Sequence, residues 1–197
     1  MSPAQPLLFD LPTAPRPPKT PLPDGFRHQA ELITAAEEQD LVTQFRGLPF
    51  KPYEHLGYFG HRRIAGFGWR QDEAGRMVET GESIPDLLLP LLAKVAAFTG
   101  LAQDSFRHAL VTEYSPGAGI GWHRDRPPAV AIAGVSLVSP CQFRLRRKLG
   151  DRWDRASIIA APRSAYLMSG PARSDWQHSI PAVEALRYSV TFRTVRR

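Results

Sequence analysis

Arg187-Tyr188-Ser189-Val190-Thr191-Phe192-Arg193 alternates polar and apolar residues through seven positions. As a strand, its period of two puts Arg187, Ser189, Thr191 and Arg193 on one face and Tyr188, Val190 and Phe192 on the other. The apolar face requires a core. The polar face has two readings. Either it is solvated, with its arginines paired to the chain's own acids, or it lines the inside of a sandwich, where two guanidinium groups are costly unless an anion neutralises them. Taken alone, the strand favours solvation.

Working outward, similar short runs occur at residues 108–114, 133–138, 142–147, 157–160 and 165–169, separated by Gly, Pro, Ser and Asp. Short strands at this spacing predict an antiparallel β-sandwich or jelly roll. Two helices precede them. Thr34-Ala35-Ala36-Glu37 has capping-box spacing and predicts a helix over 34–46, ended by Gly47 and Pro49. Leu87, Leu88, Leu91, Leu92, Val95, Ala96 and Phe98 mark a second, running toward Gly100, with Pro90 either in its first turn or kinking it. The class is therefore α+β, with strands supported by N-terminal helices.

Residues 1–23 hold eight prolines, too many lost amide donors for a helix or central strand, and read as a flexible tail ahead of one domain at 24–197. In the tail, Gln5-Pro6-Leu7-Leu8-Phe9 resembles peptides that dock on the sliding clamp, although motifs this short arise by chance more often than by function. No run approaches the roughly 18–20 apolar residues of a membrane span. The single Cys141 excludes an internal disulfide and a multi-cysteine zinc site. These features lead to the expectation of a cytoplasmic protein, and we take it as a monomer. The net charge of +6 suits a polyanionic partner such as nucleic acid, or simply a solvated basic surface.

In Gly121-Trp122-His123-Arg124-Asp125, an extended backbone aims His123 and Asp125 from the same face. His178 follows a Gly170-Pro171 turn, and a sandwich can return it opposite His123. Two imidazoles and one carboxylate leave coordination positions open, as in non-haem Fe(II) oxygenases, though a zinc hydrolase can use the same ligands. The arginine run favours iron, because a dianion such as 2-oxoglutarate would neutralise it.

In order, the HxD pair, the distant His178 and the RxSxTFR run resemble the AlkB family of Fe(II)/2-oxoglutarate-dependent dioxygenases, whose C-terminal signature is RxNxTFR. Thr112-Glu113-Tyr114-Ser115-Pro116-Gly117 resembles the family's Asn-x-Tyr-x-x-Gly segment, and the matching stretches cover most of 108–193. The resemblance implies a double-stranded β-helix (jelly roll), with iron held by His123, Asp125 and His178. It implies 2-oxoglutarate contacts from Tyr114, Arg187 and Arg193. Thr112 and Ser189 stand where the family has Asn, so hydroxyls or water would replace two amide contacts. The implied reaction is oxidative dealkylation of N-alkylated bases in DNA or RNA, mainly single-stranded, releasing formaldehyde, succinate and CO2. The same chemistry on protein, or a basic nucleic-acid-binding module with a vestigial iron site, are the competing readings.

Residues 58–70 combine basic and aromatic side chains with glycines and look like the family's nucleotide lid. Arg62, Arg63 and Arg70 would meet phosphates, and Tyr58, Phe67 or Trp69 would stack on bases. An ordinary hairpin with its aromatics in the core fits equally well. Arg144, Arg146, Arg147 and Lys148 form a second basic cluster, read either as a nucleic-acid groove or as a charged sheet edge.

Overall fold

The computed structural model describes residues 21–55, 58–71, 77–79, 83–125 and 129–195. The Gln5–Phe9 motif lies outside them. β1 (Phe26–Gln29) leads to α1 (Ala35–Phe45). Thr34 and Glu37 form the capping box anticipated from their spacing. The Thr34 hydroxyl accepts the Glu37 N–H at 3.2 Å and the Glu37 carboxylate accepts the Thr34 N–H at 2.8 Å, so two amides of the first turn are satisfied.

β2 (Lys51–His55), β3 (Tyr58–Gln71) and β4 (Met77–Glu79) precede α2 (Leu89–Thr99). Pro90 lies in the first turn of α2, where a missing N–H costs nothing, and Gly100 closes the helix at φ 72°. The proline therefore starts this helix and does not kink it.

The rest of the chain is mostly strand. β5 (Phe106–Tyr114), β6 (Ile120–His123), β7 (Ala129–Leu137), β8 (Cys141–Leu149), β9 (Arg152–Ala160) and β10 (Ala165–Met168) lead to the short α3 (Gly170–Ser174), then β11 (Gln177–Ile180) and β12 (Arg187–Val195). Only two residues turn β8 into β9, and Gly150 takes φ 58° there, a conformation that favours glycine.

Two antiparallel sheets face each other in a jelly roll. The larger runs β1-β10-β7-β12-β5-β3-β2, with β4 attached to β3, and the smaller runs β6-β11-β8-β9. β12 sits in the middle of the larger sheet, bonded to β7 on one side and β5 on the other. One core fills the space between the larger sheet and the helices, where Leu41, Phe45, Leu92, Val95 and Phe98 meet Val111, Val190 and Phe192. A second fills the space between the sheets, where Ile132, Tyr166 and Met168 meet Phe143 and Leu145. No described helix is long and apolar enough to cross a membrane.

Sequence periodicity misses β1, β2, β4, β6 and β11, each of five residues or fewer and too short for a clear alternation, and of the short strands finds only the fully buried β10. It also starts β9 five residues late, since Arg152–Arg155 is mostly exposed and polar and shows no core-facing row.

Candidate active site

β6 and β11 pair with His123 directly opposite His178, so the backbone register itself brings the two imidazoles together, with ring centroids 4.2 Å apart. Asp125 lies just beyond β6, its Oδ2 3.5 Å from His178 Nε2. One ligand atom from each of His123, Asp125 and His178 can be chosen so that all lie within 4.8 Å of one another. His123 Nδ1 is 2.9 Å from the Gly121 carbonyl; a proton donated there leaves the Nε2 lone pair for a metal.

The electrostatics prepare these groups as ligands. Burial, helped by the neighbouring His123, pushes His178 down to about 3, so it is neutral. Its approach to Asp125 is therefore not an ion pair. For Asp125, burial alone would raise the pKa, but Arg193, His178 and His123 together outweigh it and hold the carboxylate at about 2. Phe143 stacks on His178, with centroids 5.4 Å apart and planes 16° apart, and walls the imidazole off from that side.

The polar face of β12 points into the sandwich, so the solvated reading of that strand does not hold. Arg187 is 1% exposed. Its Nε donates to Ser136 Oγ at 3.1 Å and its guanidinium lies 4.8 Å from the Tyr114 ring centroid, while its Nη1 has no hydrogen-bond partner among the described residues. A buried guanidinium nitrogen left this way is a strong demand for an anion. Tyr114 and Thr112 on β5 stand opposite Arg187 and Ser189 on β12, so all four of these expected co-substrate residues share one face on two rungs, separated only by the Tyr188–Glu113 rung.

Arg193, further along the same face, does a different job. Its Nη2 donates to Asp125 Oδ1 at 3.1 Å, and its Nη1 is 3.1 Å from His108 Nδ1. His108, lowered to about 3 by burial and then by Arg193, is neutral and able to accept at Nδ1. In this arrangement Arg193 positions the Asp125 carboxylate.

The lid segment separates into different environments. Arg62 lies on the inter-sheet side, donating from Nη1 to the Gly119 carbonyl at 3.0 Å and resting 3.7 Å from the Tyr53 ring centroid. Arg63 points the other way and forms a two-pronged pair with Glu113, both contacts at 2.8 Å. Phe67 is 8% exposed and belongs to the core beneath the helices, so it does not face a base-binding surface. Trp69 is half-buried on β3, opposite Glu79. The side chains of Tyr58 and Arg70 lie outside the described residues.

Two residues of the site have no sequence signal, and a third has only a faint one. Ser136 and His108 become partners of Arg187 and Arg193 only through sheet register. Tyr166 fills the inter-sheet core above Gly134, where an added Cβ would stand 2.3 Å from the Tyr166 Cζ. A glycine within a strand run was the one available hint.

Residues 25–193 match the 2OG-Fe(II) oxygenase superfamily. The chain is 27% identical to an Arabidopsis thaliana "Alkylated DNA repair protein ALKBH8 homolog", across 85% of this chain and 54% of that protein. It is 33% identical to the Danio rerio "Probable RNA/DNA demethylase ALKBH6", across 49% of this chain and 39% of that protein. It thus spans about half the length or less of these relatives. Among solved structures, OsALKBH1 superposes with a TM-score of 0.62 at 15% identity, covering 90% of this chain and 100% of that one. A Pseudomonas putida prolyl-4-hydroxylase gives 0.59 at 16% identity, covering 88% and 93%.

Proposed function

The chain belongs to the 2OG-Fe(II) oxygenase superfamily, and from that premise we propose that it catalyses oxidative dealkylation of N-alkylated bases in single-stranded DNA or RNA. The observation that carries the co-substrate half of this reading is Arg187, buried with Nη1 unsatisfied on the same inter-sheet face of β12 as Arg193, which holds Asp125 of the His123–Asp125–His178 cluster. A dicarboxylate fits that need. The relatives named for alkylated-DNA repair and RNA/DNA demethylation support the substrate half. Likeness of fold does not choose the substrate, because the prolyl-4-hydroxylase superposes nearly as well.

His123, Asp125 and His178 would hold Fe(II), and Arg187, with Tyr114, Thr112 and Ser189 around it, would receive 2-oxoglutarate. Once bound, the metal and co-substrate use O2 to yield succinate and CO2 and to oxidise the N-alkyl carbon, which leaves as formaldehyde. The chain itself contributes orientation and dryness. Arg193 fixes the Asp125 carboxylate while neutral His108 takes its second N–H, and Ser136 holds the Arg187 guanidinium from behind. Phe143 shields His178 from water.

The test is anaerobic loading with Fe(II) and 2-oxoglutarate, then exposure to oxygen with methylated single-stranded DNA or RNA. Succinate and formaldehyde together, both abolished in His123→Ala, are the expected result. Succinate without formaldehyde from either nucleic acid would keep the dioxygenase and overturn the nucleic-acid substrate. Neither product from a fully loaded protein would overturn the enzymatic reading.

A further inference from the structure

The back of the smaller sheet, facing away from the metal-ligand cluster, carries an arrangement that the site does not use. Alternation along the strands turns Trp122, Arg144, Arg146, Lys148, Trp153 and Arg155 to this side, and no acidic residue occupies the same face among the described residues of β6, β8, β9 and β11. The basic cluster seen in the sequence therefore divides. Arg147 falls on the opposite alternation, where it pairs with Asp154 at 3.2 Å and lies 5.1 Å from the Trp176 ring centroid.

The outward guanidiniums are held in place. Arg144 Nε donates to Ser179 Oγ at 3.0 Å and Arg146 Nε donates to Gln177 Oε1 at 2.8 Å. Each of these contacts engages one edge of the planar group. Arg146 also sits between two indoles, 4.3 Å from the Trp122 ring centroid and 4.4 Å from that of Trp153, and Arg144 lies 5.0 Å from Trp122. Such stacking fixes the planes and lowers the entropy lost when a ligand is gripped.

A charged sheet edge guarding against aggregation accounts for some of this, but not all. Arg146 stands directly opposite Arg155, a like-charge cross-strand pair that destabilises the sheet, and no carboxylate among the described residues bridges them. Trp153 remains 36% exposed where an edge needing only solubility has no use for an indole. An unrelieved positive pair between aromatic faces is complementary to a chain of phosphates and bases.

We propose that this Arg–Trp face binds the sugar-phosphate strand flanking the reactive base of a single-stranded nucleic acid. Phosphates meet Arg144, Arg146 and Arg155, and a base stacks on Trp153. Trp122 precedes the ligand His123, so the surface is the reverse of the same strands that hold the metal-ligand cluster. The inference rests on the nucleic-acid reading above and adds to it a second contact surface outside the pocket.

The test uses the full chain without iron or 2-oxoglutarate and an unmodified single-stranded oligonucleotide, with anisotropy titrations across a range of NaCl concentrations. Arg155→Gln, at an exposed residue with no side-chain partner among the described residues, should lower the slope of log K against log salt by about 0.7. Arg144→Gln/Arg146→Gln should lower it by about 1.4, with circular dichroism checking the fold. Trp153→Ala should weaken binding about 5-fold or more with the slope unchanged. Unchanged affinity and slope in Arg155→Gln and the folded double variant would overturn the proposal, as would losses seen only with an acidic peptide. Because no turnover is measured, slopes that fall in a protein lacking dealkylase activity would leave this surface standing while the reaction fails. Active dealkylation with unaltered slopes would remove the surface alone.

Discussion

The two faces of β12 are equally buried and opposite in character. Tyr188, Val190 and Phe192 meet the helices in an apolar layer that is complete without any ligand, whereas Arg187, Ser189, Thr191 and Arg193 line the inter-sheet space and leave a guanidinium nitrogen unsatisfied. One strand thus supplies stability on one side and an unmet electrostatic demand on the other. Burial says little about which residues stabilise a fold, since the largest fully buried side chain among the described residues is Arg187, at a site whose charge opposes folding until an anion arrives.

Substitutions on each face test that division. The largest effect is expected from Phe192→Ala, which empties a fully buried ring from the helix-side core and should lower unfolding free energy by about 3–5 kcal/mol in denaturant titrations. Arg187→Met should do the reverse. It should cost about 2–5 kcal/mol of 2-oxoglutarate binding by calorimetry while leaving the ligand-free protein as stable as before or more so. If Arg187→Met unfolds the ligand-free protein, the two faces are not distinct in the way described.

Arg193→Gln should weaken Fe(II) binding about 10- to 100-fold, because Asp125 loses the group that orients it, with little change in the circular dichroism spectrum. The smallest effect lies at the end of the apolar face, where Glu113 accepts from both Arg63 and Tyr188. The Arg63 hydrogen bond, ahead of that from Tyr188, outweighs burial and lowers the Glu113 pKa. Its contribution is therefore present above the ordinary glutamate range and disappears as pH falls through the depressed folded value. Since Arg63 is half exposed, the pair is expected to contribute about 1 kcal/mol. Glu113→Gln should remove that amount near neutral pH and flatten the acid side of the stability curve.

Much of this division was legible in the sequence, because a strict two-residue period leaves only the choice of which face goes inside. The capping box at Thr34 was legible because it depends on a few neighbouring residues, whereas Pro90 read equally as a first-turn residue or a kink until the helix start was fixed. What could not be read was register. His108 meets Arg193, and Ser136 meets Arg187, only because β12 pairs with β5 and β7 at particular offsets, and no local pattern encodes an offset between strands so far apart in sequence. The segment at 58–70 was ambiguous because arginines and aromatics alternate there with glycines. Its resolution depends on β3 being a long strand of the larger sheet, which places Ala65 and Phe67 toward the helices and Arg62 toward the other sheet.

The central place of β12 also bears on how the protein can be made. Synthesis proceeds from the N-terminus, so β5 and β7 emerge well before the strand that joins them. Until residue 195 has left the ribosome, the larger sheet exists as two halves with bare edges toward each other, each a template for pairing with another nascent chain. Folding of this sheet is therefore completed only after translation of its last strand. A polypeptide halted before Arg187 would lack the middle of the larger sheet as well as a segment of the site.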